Sequence, residues 1–387
     1  VYGGGALGKI SCDTVNILVT GDSNIEDSVY GGGKGSESNI NSAEMRATGD
    51  ISVTINGSAV LKSVYGGGQM SLVNANSVNV SLINNAGVGG SVYGGGQGLS
   101  DKSEWALLKA DTVGVSVEGS VVWGSVYGGG SLSRTEGSIL ITINNSTVKG
   151  VVFGGGLGSS GVISTIGSRT VKISRSTIES SVLGSSSLGD DKGGDSTIYL
   201  NDHVTVGASV YGGGFKGTLT GNTSITIEDD VSIRFSVYGG ADIGDVTGDS
   251  FDDTLVIGYS TIVISGQNTS VGRSVFGSGN SCKVDDGIAT THNTITIIGL
   301  GSSETVSMES IQSADIVNIT SSKLILTGRA DASMSQASTK FSLNHIGCLN
   351  LHEKTTLDLR ASVGDLGEYG SYLDASTEST VENPSNT

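Results

Sequence analysis

One five-residue word constrains this chain more than anything else in it. Val1-Tyr2-Gly3-Gly4-Gly5 returns, intact or edited, with its second position at Tyr30, Tyr65, Tyr93, Tyr127, Phe153, Leu183, Tyr211, Tyr238 and Phe276, each directly after a Val. The intervals are 28, 35, 28, 34, 26, 30, 28, 27 and 38 residues. Variable length around a fixed word means that one corner is strict while another tolerates insertions. Such self-similarity marks stacked supersecondary units, none of which buries its apolar face alone.

Between words lie short alternating strands. Examples are Thr14–Val19, Ile51–Ile55, Val78–Leu82, Ile139–Ile143, Ser224–Ile227 and Ile295–Ile297. Period-2 alternation rich in β-branched residues predicts strands with one buried face. Polar corners follow at Asn56-Gly57, Asn84-Asn85, Asn144-Asn145, Asn201-Asp202 and Asp229-Asp230, residue types that tolerate left-handed backbone. A third short strand with one inward Val (Val60, Val121, Val148, Val231) leads back to the word. Three strands and three corners in about 30 residues describe one coil of an all-β parallel β-helix, or β-solenoid, stacked at ~4.8 Å per coil. About 12 coils are expected, with right-handed coiling the expected hand. A propeller blade needs roughly 40 residues and four strands. A sandwich would not restate one word. The one segment with helical character is Glu104–Leu108, inside an insertion.

Composition agrees. Of 387 residues 62 are Gly and 1 is Pro, 36% are apolar and 15% charged, against about 7% Gly, 5% Pro and 25% charge in an average domain. Such a chain turns constantly yet keeps its N–H groups for ladders. It lacks the Gly-X-Y period of collagen. A formal charge of −17 argues against nucleic acid, whose phosphates it would repel, and against charge-driven docking on anionic membranes. No apolar run reaches transmembrane length. Cys12, Cys282 and Cys348 are odd in number and far apart, which suits small buried side chains better than disulfides or zinc.

Residues 1–300 form the word-bearing solenoid. Residues 301–366 read as degenerate coils that cap it, with Ile311 and Ile346, 35 residues apart, in equivalent places. Residues 367–387 form a polar tail that reads as a linker. Because the chain opens in mid-motif at Val1, a signal peptide or anchor is expected in the parent protein.

The three glycines predict a turn where coils approach too closely for a Cβ, or where φ is positive. A phosphate loop would need a Lys at fixed spacing and a following helix, and a calcium-binding Gly-Asp repeat would need an Asp after each triplet; neither is present. The second word position holds seven Tyr, two Phe and one Leu, so the ring matters more than the hydroxyl. Two readings stay open for this ladder of Tyr30, Tyr65, Tyr93, Tyr127, Phe153, Tyr211, Tyr238 and Phe276. The rings are core, or they form an exposed strip on which sugars stack.

The insertions follow the Gly corner and fall on one side of the solenoid. Three of the later ones are acidic: Asp190, Asp191 and Asp195; Asp242, Asp245, Asp249, Asp252 and Asp253; Asp285 and Asp286. They read as a solvated acidic face. The same carboxylates are candidates for Ca²⁺, a hard cation that takes oxygen ligands, or for a glycosidase pair. The candidate calcium set is Asp242, Asp245, Asp249, Asp252, Asp253, Asp285 and Asp286. His203, His292, His345 and His352 are isolated, and no nucleophile–base arrangement emerges. A Thr/Ser/Asn row (Thr54, Ser81, Thr142, Ser174, Thr226) raises ice or lattice binding, but keeps no regular Thr-x-Thr array.

Taken with the ten words and the strands between them, the chain resembles the β-helical repeat regions of large bacterial surface and secreted proteins. These are the adhesin-like and autotransporter-like members of the pectate-lyase-type solenoids. The resemblance covers about residues 1–366 and carries no catalytic word onto any position. It implies a secreted or surface-displayed bacterial rod acting as an adhesin or stalk, with a host or microbial glycan or protein as partner. The alternative is a carbohydrate-active β-helix, a lyase or tailspike-like hydrolase, using the acidic loops.

Overall fold

The computed structural model describes residues 1–38, 43–99, 106–242, 256–279, 293–300, 306–330, 340–364, 373–375 and 380–382. Among them there is no α-helix, and strands pair parallel throughout except where Arg329–Ala330 runs against Lys340–Phe341. The chain is an all-β parallel solenoid.

The broad face stacks Val15–Thr20, Asp50–Asn56, Ser77–Ile83, Leu108–Glu118, Thr135–Asn144 and Arg169–Ser174. Ser196–Asn201, Thr223–Glu228, Ser260–Ser265 and Thr294–Ile298 extend it. Alternation fixes the register, because a one-residue slip would turn every apolar side chain outward. One inward column therefore runs Ile17, Val53, Val80, Val115, Ile141, Val171, Ile198, Ile225, Ile262, Ile295 and Val317. From Val53 onward every member is at most 1% exposed, and burying each such side chain contributes about 1.5–3 kcal/mol.

The polar corners turn as their residue types require. Gly57, Asn84, Asn85, Asn145, Asp202, Asp229 and Asp230 all have φ between 48° and 63°. Beyond them a nine-stranded sheet of two-residue strands runs from Asn24–Ile25 to Ser270–Val271. Val60 and Val148 point inward there as expected. In two coils the inward residue is instead Val122 and Ile233, with Val121 half-exposed and Val231 buried in the corner before the strand. Before Ser232–Ile233 the corner is one residue longer than before Ala59–Val60, so the strand starts later; before Val121–Val122 it has the same length, and register with Val60 and Val148 puts Val122 inside. Each coil then closes at the word, where Val29, Val64, Val92, Val126, Val152, Val182, Val210, Val237 and Val275 stack inward, fully buried.

A fourth strand, absent from the three-strand expectation, lies between the Gly corner and the broad face. It is formed by Lys9–Cys12, Glu44–Ala47, Leu72–Asn74, Ile163–Ile166, Asp190–Lys192, Leu219–Thr220 and Val256–Ile257. In two coils it fuses with the broad strand, giving Leu108–Glu118 and Thr135–Asn144. Leu108, read as helical in sequence, starts the first of these.

No word glycine is left-handed; close approach explains the triplet. A methyl on Gly32 would sit 2.6 Å from Gly68 N, and one on Gly67 2.7 Å from Gly96 N. Past Phe276 the word strand continues as Ile311-Gln312 and Leu343-Asn344. Ile311 therefore pairs with Leu343, and Ile346 with Ala314, not with Ile311. Free Cys12 and Cys348 are half-buried; Cys282 lies outside the described residues.

Candidate functional site

Alternation sends the ladder rings outward from the inward Val, yet they are not exposed. Tyr30, Tyr65, Tyr93, Tyr127, Phe153, Tyr211 and Tyr238 are 4–8% accessible and form an apolar cluster separate from the lumen. Consecutive rings from Tyr2 to Phe153, and from Tyr211 to Phe276, stack at 4.7–5.0 Å and within 7° of parallel. Leu183 separates the two runs. A sugar would need a ring face, and neighbouring rings occupy those faces.

The cover comes from the residue after each glycine triplet, which stacks in its own row: Ala6, Lys34, Gln69, Gln97 and Ser131. The Tyr2 hydroxyl donates to Gln69 Oε1 and the Tyr30 hydroxyl to Gln97 Oε1, both at 2.5 Å. Gln69 Nε2 donates to Gln97 Oε1 at 3.1 Å. Val151, Leu157 and Phe215 pack on the later rings, and the Arg329 guanidinium lies 5.1 Å from the Phe276 centroid. Burial pushes the Tyr30 and Tyr127 hydroxyls up to about 12 and raises Tyr65 and Tyr93. Tyr211 is raised by burial first, then by its hydrogen bond to Asp242.

The first acidic group joins coils together. Asp190 accepts the Thr218 N–H at 2.9 Å and Asp195 the Asn222 N–H at 2.8 Å. Asp191 is 1% exposed and points into the lumen. There it accepts from Ser186 N at 2.7 Å, from Ser186 Oγ at 2.6 Å and from Thr165 Oγ1. Of the candidate calcium ligands only Asp242 lies within the described residues; Asp245, Asp249, Asp252, Asp253, Asp285 and Asp286 lie outside them. Among the described residues no group of three His, Cys, Asp or Glu side chains is placed to hold a metal ion. His203 sits in a corner between Asp202 (2.9 Å) and Asp230 (3.3 Å). The Asp202 hydrogen bond and the Asp230 charge raise its pKa.

Two features did not emerge from the sequence reading. Arg169 is fully buried in the lumen, where it donates to Thr165 Oγ1 at 3.1 Å and to the Gly194 carbonyl. Its column is Val15, Ile51, Val78, Val113 and Ile139 before it, then Ser196, Thr223 and Ser260 after it. The alternation Arg169, Val171, Ile173 was the available signal. The second feature is an open groove of about 230 Å³ on the outer side of the broad face, lined by Lys172, Tyr199, Leu200, Asn201, Thr226 and Glu228. Tyr199 is 42% exposed, and its outward direction follows from inward Ile198 and Leu200.

No protein-family model, no curated protein and no solved structure matches this chain.

Proposed function

We propose that the chain is a non-catalytic β-solenoid rod of a bacterial cell surface, displayed outside the cell as an adhesin or as the stalk of one. The observation that carries this reading is the ladder. The most repeated side chains stack on one another and are buried, so the repeat builds a stiff rod and not a row of reactive groups. The resemblance to adhesin-like and autotransporter-like repeat regions supports the same reading, as does a surface charge that keeps a sheet-rich object apart from its copies. The lyase or hydrolase alternative rests on the acidic loops. There Asp190, Asp191 and Asp195 are engaged in hydrogen bonds to neighbouring backbone and hydroxyl groups. Asp242 is the one further member within the described residues, and no contact favours this alternative.

The test is binding of the purified chain to bacterial and host cells, together with turnover assays on a polysaccharide panel. Saturable cell binding without turnover is the expected result for the adhesin form. A rod of fixed length in solution scattering, with neither binding nor turnover, is expected for the stalk. Turnover that survives repurification and is lost with Asp242→Asn would overturn the proposal.

A further inference from the structure

Among the described residues, the groove beside Tyr199 is the one place in this outer row of the broad face where an aromatic side chain stands. That row runs Leu18, Thr54, Ser81, Ser116, Thr142, Lys172, Tyr199, Thr226, Val263 and Thr296 in register. An exposed ring there contributes nothing to the lumen, which Ile198 and Leu200 fill. Its two sides differ. On the preceding coil the Lys172 ammonium lies 5.7 Å from the ring centroid and covers one face. On the following coil the partner in register is Thr226, too short to cover the other face. The groove opens beside it.

The rim is polar. Asn201 pairs in register with Glu228 on the next coil, and both are exposed. With the Thr226 hydroxyl they surround the ring by an amide, a carboxylate and a hydroxyl, which together donate to and accept from hydroxyl groups. The volume is below that of a drug-sized pocket and suits a single saturated ring.

We propose that this groove binds one neutral hexopyranose unit of a glycan. The sugar's C–H face lies on the open face of Tyr199, and its vicinal hydroxyls meet Glu228, Asn201 and Thr226. An aromatic face with polar groups at its edge matches the two-sided chemistry of a pyranose. Glu228 in the rim and a formal charge of −17 disfavour sulfated, phosphorylated or uronic sugars, so the ligand is uncharged. The strands that carry the site are hydrogen-bonded on both sides, which holds the ring ready without ordering a loop. The inference deepens the adhesin reading by giving it a ligand and a place.

The test titrates the purified chain with neutral gluco-, manno- and galacto-oligosaccharides by calorimetry and by chemical-shift mapping. At least one series is expected to bind. Tyr199→Ala is expected to weaken it by roughly tenfold or more, Glu228→Gln less, while Tyr199→Phe retains it. Trp123→Ala is the control, because Trp123 is 62% exposed with Lys149 over its ring but does not line the Tyr199 groove; it is expected to change nothing. Both aromatic positions are on the surface, and unchanged circular dichroism confirms folding. Failure of all three series to bind, or binding by Tyr199→Ala as tight as by the parent, would overturn the groove. Cell binding measured on the same samples separates the two claims: if it persists, the adhesin reading stands and the sugar site falls.

Discussion

The coils up to Phe153 and those from Ile163 to Phe276 obey one register but solve the same packing problem differently. In the front coils the ring stack is unbroken from Tyr2 to Phe153. The lumen column there is Val15, Ile51, Val78, Val113 and Ile139. Every corner is a full Gly triplet. In the rear coils the word at Val182 reads Leu183-Gly184-Ser185-Ser186, which interrupts the stack and puts side chains into the corner. At that level the lumen holds Thr165, Arg169 and Asp191. Ser196, Thr223 and Ser260 then donate to the carbonyls of Gly212, Gly239 and Gly277 at 2.5–2.7 Å. Deviations in the ladder, corner and lumen coincide because they touch: Ser186 in the corner donates to Asp191, and Thr165 links Asp191 to Arg169. Of the two hydroxyls that replace glycine in this corner, Ser186 finds its partner in the lumen, whereas the Ser185 hydroxyl is buried without one.

The largest expected effect tests the corner. Gly67→Ser in the front would press a side chain against the Gly96 backbone and is expected to cost on the order of 4 kcal/mol or more. Ser185→Gly, at the same word position in the rear, is expected to stay within about 1 kcal/mol. Urea denaturation followed by circular dichroism measures both, and equal tolerance would erase the distinction. The second test addresses the lumen. Arg169→Met leaves Asp191 buried without a cation nearby and is expected to cost about 3 kcal/mol, whereas Arg169→Met with Asp191→Leu is expected to recover most of that. A neutral single substitution would mean that the guanidinium only fills space.

Alkali sharpens the contrast through the rings. Burial raises five hydroxyls in the front, Tyr30 and Tyr127 to about 12, while an unfolded Tyr titrates near 10. The folded state thus holds these protons more tightly. The stability this represents is complete below about pH 10 and is lost as pH climbs toward about 12. Tyrosinate absorbance is expected to rise together with loss of sheet signal, beginning in the front coils; free titration of a folded protein near pH 10 would show the rings to be solvated. The smallest effect concerns the gap. Leu183→Phe would join the two stacks and is expected to add about 1 kcal/mol, read as a higher urea midpoint, and a loss would mean that the site is shaped for an aliphatic chain.

The fold was legible because it rests on two local signals, the word and the alternation, and stacking repeats both. Contacts that run from coil to coil were less so. Asp190, Asp191 and Asp195 look like a solvated acidic loop when only their neighbours in sequence are considered, yet their partners Thr218, Ser186, Thr165 and Asn222 are mostly a coil away. Burial of the rings was hidden for a similar reason: the covering position is Lys34, Gln69, Gln97, Ser131, Leu157 or Phe215, with no constant identity to notice. Arg169 and Tyr199 were readable in principle, since alternation assigns one to the inside and the other to the outside. What gave them no prominence was composition, in which each is a single residue among many.

The hydroxyl links of the ladder carry a mechanical consequence. Tyr2 reaches Gln69 and Tyr30 reaches Gln97, each skipping the word between. Every boundary between neighbouring coils from the first word to the fourth is therefore crossed by at least one of these links, and the middle boundary by two. The arrangement is that of a lap joint: a load along the axis cannot open a single seam without straining bonds anchored beyond the adjoining one.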